Sequence, residues 1–381
     1  MKTILHGIAS MALACAALAH AESSVWQGTI GKLPVVAILE LDGDSPNGEY
    51  FYRSQLRDIH LSGMRSANGV SEFEEVAPGS SAESGASPGW SVRLGDDGVL
   101  KGEWHDKGGK ALPIRLTRAT PGDVARGAPL AAGLDSADGL YQSLRLAGLQ
   151  LQPGGPVETL QGYPVQWWLE PHSKLKHLQI VSGYPAPALT KINAALRERH
   201  WSDIANSFGC NGEYEQQVTP RYFGTDAISI SIYTSYSCAG AAHPDAGDAP
   251  LNLDASNGRE IKLEDVLWLG KGSPPRYRTQ DNGRGNEGYF AYRDEVFAPW
   301  LRDVFARLYP QQMRKPAGDD ACDYGEVEIW KFPSWYLTDK GIYFGPSFAR
   351  AARACEYPEW PILPWKYVKQ HAGAFKLLKA R

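Results

Sequence analysis

Residues Trp90 to Trp104 read WSVRLGDDGVLKGEW. Two short runs of alternating or apolar residues flank a Gly-Asp-Asp-Gly turn. A period of two is typical of a half-buried strand, and glycine and aspartate favour tight turns between antiparallel strands. The stretch therefore predicts two neighbouring strands of an antiparallel meander.

Similar runs recur on both sides of this stretch, from residue 22 to about 118, and turn-forming clusters rich in Gly, Asp and Lys separate them. The runs are Val35–Leu39, Tyr50–Tyr52, Ile59–Leu61 and Leu112–Leu116. Residues 79–87 are rich in Ser, Gly and Ala and predict a flexible loop. Short, regularly spaced strands predict an all-β N-terminal domain, either an antiparallel meander or a small barrel.

Residues 119–138 are rich in Ala, Gly, Pro and Asp without sustained periodicity, which is typical of a linker. A chain of 381 residues exceeds what one hydrophobic core usually serves, so we expect a second domain over residues 139–381.

The second domain mixes helical and strand patterns. Ile228-Ser-Ile-Ser-Ile-Tyr233 alternates strictly, and Asn257-Gly258 is a strong hairpin signal. One helix is predicted from about Pro187 and another over Tyr289–Tyr309, where apolar residues recur at helical spacing. The remaining predicted elements are strands at Glu326–Phe332, Trp335–Thr338 and Gly341–Phe344, and a short helix at Trp365–His371. The irregular order predicts an α+β domain with an antiparallel sheet and two main helices.

The N-terminus has the features of a secretory signal peptide over residues 1–21. Lys2 is followed by an apolar stretch from about Ile4 to Leu18, and Ala19-His20-Ala21 is a small-x-small cleavage site. An alternative is lipidation of Cys15, although Leu13 fits a lipoprotein box poorly. After Ala21 no apolar run approaches the roughly 20 residues of a membrane-spanning helix. We therefore expect a soluble periplasmic or secreted protein without a transmembrane segment.

Loss of Cys15 with the signal peptide leaves Cys210, Cys238, Cys322 and Cys355. An even number in an exported chain predicts disulfides, with three possible pairings. The pairs Cys210–Cys238 and Cys322–Cys355 are favoured, because each brackets a compact strand-rich segment. A zinc site is the rival interpretation, but neither a Cys-x-x-Cys motif nor a nearby histidine supports it.

Removal of residues 1–21 leaves 38 basic and 43 acidic residues, which does not favour a nucleic-acid partner. Phosphate-loop and HExxH motifs are absent, so we predict no cofactor, no metal site and no catalytic residue. Ser173-x-x-Lys176 lacks the companion motifs of penicillin-recognising enzymes, and Ser347 lies in an imperfect nucleophile-elbow pattern. Asp319, Asp320 and Asp323 fit a solvated acidic loop better than a catalytic pair.

The candidate binding residues lie between Tyr236 and Asp254. His243 precedes a proline and follows a loop of small residues that lets the backbone approach other groups closely. A histidine so presented can titrate, ligate a metal or contact a partner; alternatively, its ring hydrogen-bonds Asp254 or a carbonyl and holds the loop. We therefore take His243, Asp254 and Tyr236 as the candidate binding site.

This segment resembles a known family. The string Gly240-Ala-Ala-His243-Pro244, then Leu251-Asn-Leu-Asp254, Gly258 and Leu263-Glu-Asp-Val-Leu267, is similar to the RsiV-like extracytoplasmic domain of unknown function. The resemblance covers about residues 155–375. Ala241 stands where the family has a second glycine. Residues Arg350–Cys355 replace an aromatic and proline-rich segment of the family sequence.

The resemblance implies envelope proteins, among them anti-sigma factors that sense lysozyme and modules attached to peptidoglycan deacetylases. The expected function is a non-catalytic cell-envelope binding or sensing protein whose partner is a lysozyme-like protein or peptidoglycan glycan. An enzyme acting on envelope polymers and a structural role are the alternatives. The N-terminal sequence around Trp26 and Tyr50 resembles small β-domains that accompany the RsiV-like domain.

Overall fold

The computed structural model describes residues 23–76, 87–130, 133–239, 241–278, 284–317, 322–375 and 377. The predicted signal peptide, nearly all of the 79–87 loop, Gly240, Asp319 and Asp320 lie outside the described residues. The chain divides into two compact units. The described residues of the first lie within 23–53, 59–76 and 87–120, and those of the second within 54–58 and 121–377.

The first unit is, over its described residues, a closed barrel of eight antiparallel strands in sequence order. The strands are β1 Ser24–Ile30, β2 Leu33–Glu40, β3 Asn47–Tyr52, β4 Ile59–Arg65, β5 Ser71–Val76, β6 Gly89–Leu94, β7 Val99–His105 and β8 Ala111–Arg118. β8 pairs with β1 and closes the barrel.

The register of β6 and β7 agrees with the predicted turn. Leu94 pairs with Leu100 and Trp90 with Trp104, on either side of the Gly-Asp-Asp-Gly sequence. Apolar residues from alternate strand positions fill the barrel, Tyr50, Phe73 and Trp90 among them. The sequence analysis missed β1 and β5. β5 has Phe73 as its only large buried residue, so its alternation is weak.

The second unit contains further antiparallel sheets and a smaller number of helices among its described residues. Its strands are β9 Gln152–Pro153, β10 Glu158–Leu160, β11 Tyr163–Leu169, β12 Lys176–Ile180, β13 Glu213–Phe223, β14 Ala227–Ser237, β15 Asp245–Asp248, β16 Leu251–Asp254, β17 Ser334–Leu337, β18 Gly341–Gly345 and β19 Ile362–Pro364. Its α-helices are α1 Ala137–Leu146, α2 Ala186–Cys210, α3 Leu263–Val266, α4 Glu287–Ala291, α5 Ala298–Leu308 and α6 Trp365–Gln370.

β14 is central to one of these sheets. It pairs with β13 along one edge and with β15 and β16 along the other. The isoleucines of Ile228–Ile232 are buried and pack with α2 residues such as Ile192 and Leu196. The predicted alternation is therefore that of a strand with one face on a helix, whereas Ser229 and Ser231 on its other face are buried and hydrogen-bonded.

The helical run over residues 287–308 is interrupted. A π-helical turn, Tyr292–Phe297, joins α4 to α5. Because a π-turn holds an extra residue, it shifts the apolar stripe, and Val296 is 42% exposed whereas Phe297 is buried. The predicted strand Glu326–Phe332 was wrong: residues Glu328–Trp330 form a 3-10 turn that buries Ile329 and Trp330.

Two disulfides join described residues, Cys210 to Cys238 and Cys322 to Cys355. These are the pairs that the sequence favours. Among the described residues, no helix is long and apolar enough to cross a membrane.

Candidate functional site

His243 lies in the loop between β14 and β15, and its side chain is exposed. Its main-chain carbonyl accepts a hydrogen bond from the guanidinium of Arg350, which also donates to the carbonyl of Pro244 at 3.3 Å. The loop is thus held through its backbone, and the imidazole faces outward.

The carboxylate of Asp254 forms its hydrogen bonds within its own turn. It accepts hydrogen bonds from the amide of Ser256 at 2.8 Å, the hydroxyl of Ser256 at 2.6 Å and the side-chain amide of Asn257 at 2.7 Å. The next residue, Gly258, has a φ of +70°, and a Cβ there would lie 2.5 Å from the main chain of Lys191. Glycine is therefore required, and Asp254 braces this turn.

The structure does not bring Asp254 and His243 together. Asp254 pairs with Ala227 at one end of β14, whereas Asp245, two residues after His243, pairs with Tyr236 near the other end. The nine strand positions from Ala227 to Tyr236 span roughly 30 Å. Tyr236 lies at the His243 end, where its ring stacks on that of Tyr214 with centroids 6.2 Å apart.

A polar cavity of about 600 Å³ lies on the serine face of β14. We call it the tyrosine cleft and define it by residues from five strands and the segment that follows Cys355. These residues are Arg221, Tyr233, Asp248, Tyr336, Tyr343 and Tyr357. The sequence analysis identified none of them as site residues.

The floor of the cleft follows from the alternation of β14. Ser231 and Tyr233 lie on the face opposite the buried isoleucines, and Ser231 is only 2% exposed. Tyr233 pairs with Gln217 on β13 and with Asp248 on β15. Polar side chains of three adjacent strands therefore form one surface.

Asp248 is the half-buried carboxylate of this surface. Its oxygens accept hydrogen bonds from the hydroxyl of Ser231 and the amide of Ile232, both at 2.9 Å. Burial nevertheless raises the pKa of Asp248 above its ordinary value, because the charged form is poorly solvated there. A carboxyl group held in this way can donate or accept a proton, or accept a ligand's hydrogen bonds.

The aromatic wall comes from the paired strands β17 and β18. The rings of Tyr336 and Tyr343 stack with centroids 4.4 Å apart and planes 15° apart. The guanidinium of Arg221 lies 4.8 Å from the centroid of Tyr336, a cation–π contact. Burial raises the pKa of Tyr336 to about 12 and also raises the pKa of Tyr343. Both phenols are therefore neutral at physiological pH.

Another part of the lining comes from a segment that we call the strap, residues 350–359. Its 3-10 helix, Arg350–Cys355, is anchored by the Cys322–Cys355 disulfide. Arg353 forms ion pairs at 3.0 Å with both Asp245 and Glu356. The strap thus links the His243 loop to the cleft.

Tyr357 brings the strap to the cleft floor. Its ring meets that of Tyr233 edge to face at 5.3 Å. Its φ of +67° lies in the left-handed region, which a bulky residue adopts only when its surroundings compensate the strain. Such strain is concentrated at functional sites, and here it orients a phenol towards Asp248.

The cleft combines neutral phenols, a guanidinium and a half-buried carboxyl. Aromatic faces suit the apolar faces of sugar rings, and the polar groups suit their hydroxyls. Among the described residues there is no group of three or more His, Cys, Asp or Glu that could hold a metal ion. The arrangement is best suited to binding a neutral polyhydroxylated ligand.

A scan against protein-family models and a search of curated proteins both find no match to this chain.

Proposed function

We propose that the protein is an exported, non-catalytic cell-envelope binding or sensing protein, and that the tyrosine cleft binds the glycan of peptidoglycan. The observation that carries the proposal is the cleft, which has stacked Tyr336 and Tyr343 on one side and Asp248 on its floor. Ligand sites are typically concave, with aromatic surface and few polar groups that fix the orientation of the ligand.

Export is supported by the two disulfides of the described residues, because such bonds persist in oxidising compartments. The signal-peptide features of residues 1–21 support a periplasmic or secreted location. A glycan of the cell envelope would be accessible to the protein in either location.

Two other partners or activities remain to be distinguished by experiment. The resemblance to RsiV-like domains implies a lysozyme-like protein as the partner, with His243 and Tyr236 at the contact. An enzyme on envelope polymers is favoured by one observation: Asp248 is a half-buried carboxyl group with a raised pKa in a cleft, a property common among catalytic acids.

The test is co-sedimentation of the mature protein with insoluble peptidoglycan, beside a pull-down with lysozyme. We expect peptidoglycan to bind, and Arg221→Met or Asp248→Asn to weaken binding by about 1–3 kcal/mol. Arg307→Met, on the exposed face of α5, is the matched control and should bind normally.

Binding to lysozyme alone would contradict the glycan proposal. The supernatant of the same assay reports catalysis, because release of soluble fragments that Asp248→Asn abolishes would favour the enzyme instead.

A further inference from the structure

A second cavity adjoins the tyrosine cleft. This cavity, of about 430 Å³, shares Lys340, Glu359 and Ile362 with the cleft. Two cavities with three lining residues in common adjoin one another along those residues. The surface that a ligand meets is therefore longer than the cleft alone.

The second cavity repeats the aromatic chemistry of the first. Trp360 and Tyr309 line it and meet edge to face, with centroids 5.0 Å apart. The hydroxyl of Tyr309 donates to the carbonyl of Ile362 at 2.7 Å, which fixes the ring in place. Gln312 adds an exposed amide that lines only this cavity.

The junction between the cavities is charged. Lys340 and Glu359 are exposed and line both spaces, so they present a donor and an acceptor at the point where one cavity leads into the other. Along the two cavities, aromatic surface alternates with charged polar groups. This arrangement fits successive sugar rings that are joined by polar linkages.

We infer that the two cavities form one groove with at least two ring subsites, and that its ligand is an oligosaccharide segment rather than a single sugar. The inference rests on the proposed function and deepens it. A single ring would fill only one of the two aromatic spaces. A chain that spans both gains the second contact at a smaller entropic cost, because the first ring already positions it.

The test is calorimetric titration with N-acetylglucosamine and its β-1,4-linked oligomers of two to six units, using the mature protein. We expect the affinity to rise about tenfold from the monomer to the oligomer that fills both spaces, and then to level off. Gln217 and Gln312 provide a matched pair, because both are exposed and each lines one cavity only. Gln217→Ala should lower the affinity for every oligomer. Gln312→Ala should reduce only the increase in affinity that comes with added sugar rings.

Trp360→Tyr, a second variant of the far cavity, should also reduce that gain. Its folding is checked by thermal unfolding, because Trp360 also packs against Phe305 and Tyr324. An affinity that does not depend on length would overturn the inference and leave the proposed function standing. The same holds if whole peptidoglycan binds while no oligomer does. If neither peptidoglycan nor any oligomer binds to folded protein, the proposed function fails as well.

Discussion

The main-chain amide of Asp248 donates a hydrogen bond to the phenol oxygen of Tyr357 at 3.2 Å, across 109 positions of sequence. The Tyr357 hydroxyl in turn donates to the carboxylate of Glu356 at 2.8 Å. One phenol therefore joins strand β15 of the cleft floor to the strap.

Loss of that phenol should loosen the strap. We expect Tyr357→Phe to lower the free energy of unfolding by about 1–2 kcal/mol, because the Asp248 amide and the Glu356 carboxylate each lose a partner. Thermal and urea unfolding measure the change. Tyr277→Phe removes a hydroxyl from a ring that is 55% exposed and should change stability by less than about 0.5 kcal/mol. Equal effects of the two variants would show that the hydrogen bond is unimportant.

A second prediction concerns the buried ion pair of Arg293 and Glu264, whose nitrogen and oxygen are 2.5 Å apart and whose side chains are 6% and 5% exposed. Removal of one partner leaves the other charge buried without compensation. Arg293→Met and Glu264→Gln should each cost about 3–5 kcal/mol in urea unfolding. The double variant should cost clearly less than the two single variants together. Additive costs would show that the two charges do not interact.

Acid should destabilise the second unit through His177 and His200. Burial lowers the pKa of His177 to about 3 and that of His200 to about 4, from an ordinary value of 6.5. Both are neutral in the folded chain at neutral pH, whereas the unfolded chain takes up protons once the pH falls below about 6.5. Their contribution to stability is therefore complete above that pH and is lost as the pH falls towards the folded values.

The expected size is about 1 kcal/mol per histidine for each pH unit below about pH 6. Urea unfolding at several pH values between 7 and 5 gives the slope. His177→Gln should reduce it by about half, whereas His243→Gln, at an exposed imidazole, is the control. A slope that His177→Gln leaves unchanged would assign the acid sensitivity to other groups.

His243→Ala separates a partner contact from a structural role. The variant retains the carbonyl that Arg350 holds, and the carboxylate of Asp254 is engaged elsewhere, so stability should change by less than about 0.5 kcal/mol. If the imidazole contacts the partner, binding should weaken by about 1–3 kcal/mol. Unchanged binding in the same assay would remove His243 from the interface.

The disulfides give a fifth prediction. Titration of the denatured, unreduced mature protein should find no free thiol. The loops closed by the bonds have similar lengths, with sequence separations of 28 and 33. Replacing both cysteines of either pair by serine should therefore cost about 3–4 kcal/mol in each case. Only the Cys322/Cys355 variant should also lose glycan affinity, because Cys355 lies in the strap and its disulfide anchors that segment.

Much of the fold could be predicted because its strands alternate clearly. Residues 90–104 and 228–233 predict their strands, and the paired cysteines bracket strand-rich segments as expected. Short apolar runs were harder: Val327, Ile329 and Trp330 suggest a strand, but a 3-10 turn that begins after Val327 buries Ile329 and Trp330. Periodicity alone cannot separate these outcomes over so few positions.

The site was harder still, because its residues come from distant parts of the chain. Ser231 lies on the polar face of β14, which predicts exposure to water, yet it is buried in the structure. Tyr336 and Tyr343 are typical strand residues and carry no motif. Only tertiary pairing shows that they form a wall of the same cavity as Asp248.

The strap follows the cleft floor along the chain, and this order has a consequence for biosynthesis. A growing polypeptide can complete the β13–β14 floor and join Cys210 to Cys238 while Cys355 and Tyr357 have yet to be made. Premature termination before the strap would leave a product with an open floor, an unmatched Cys322 and no closing wall. Under the proposed function, a polypeptide that ends before residue 350 lacks the strap and should not bind the glycan.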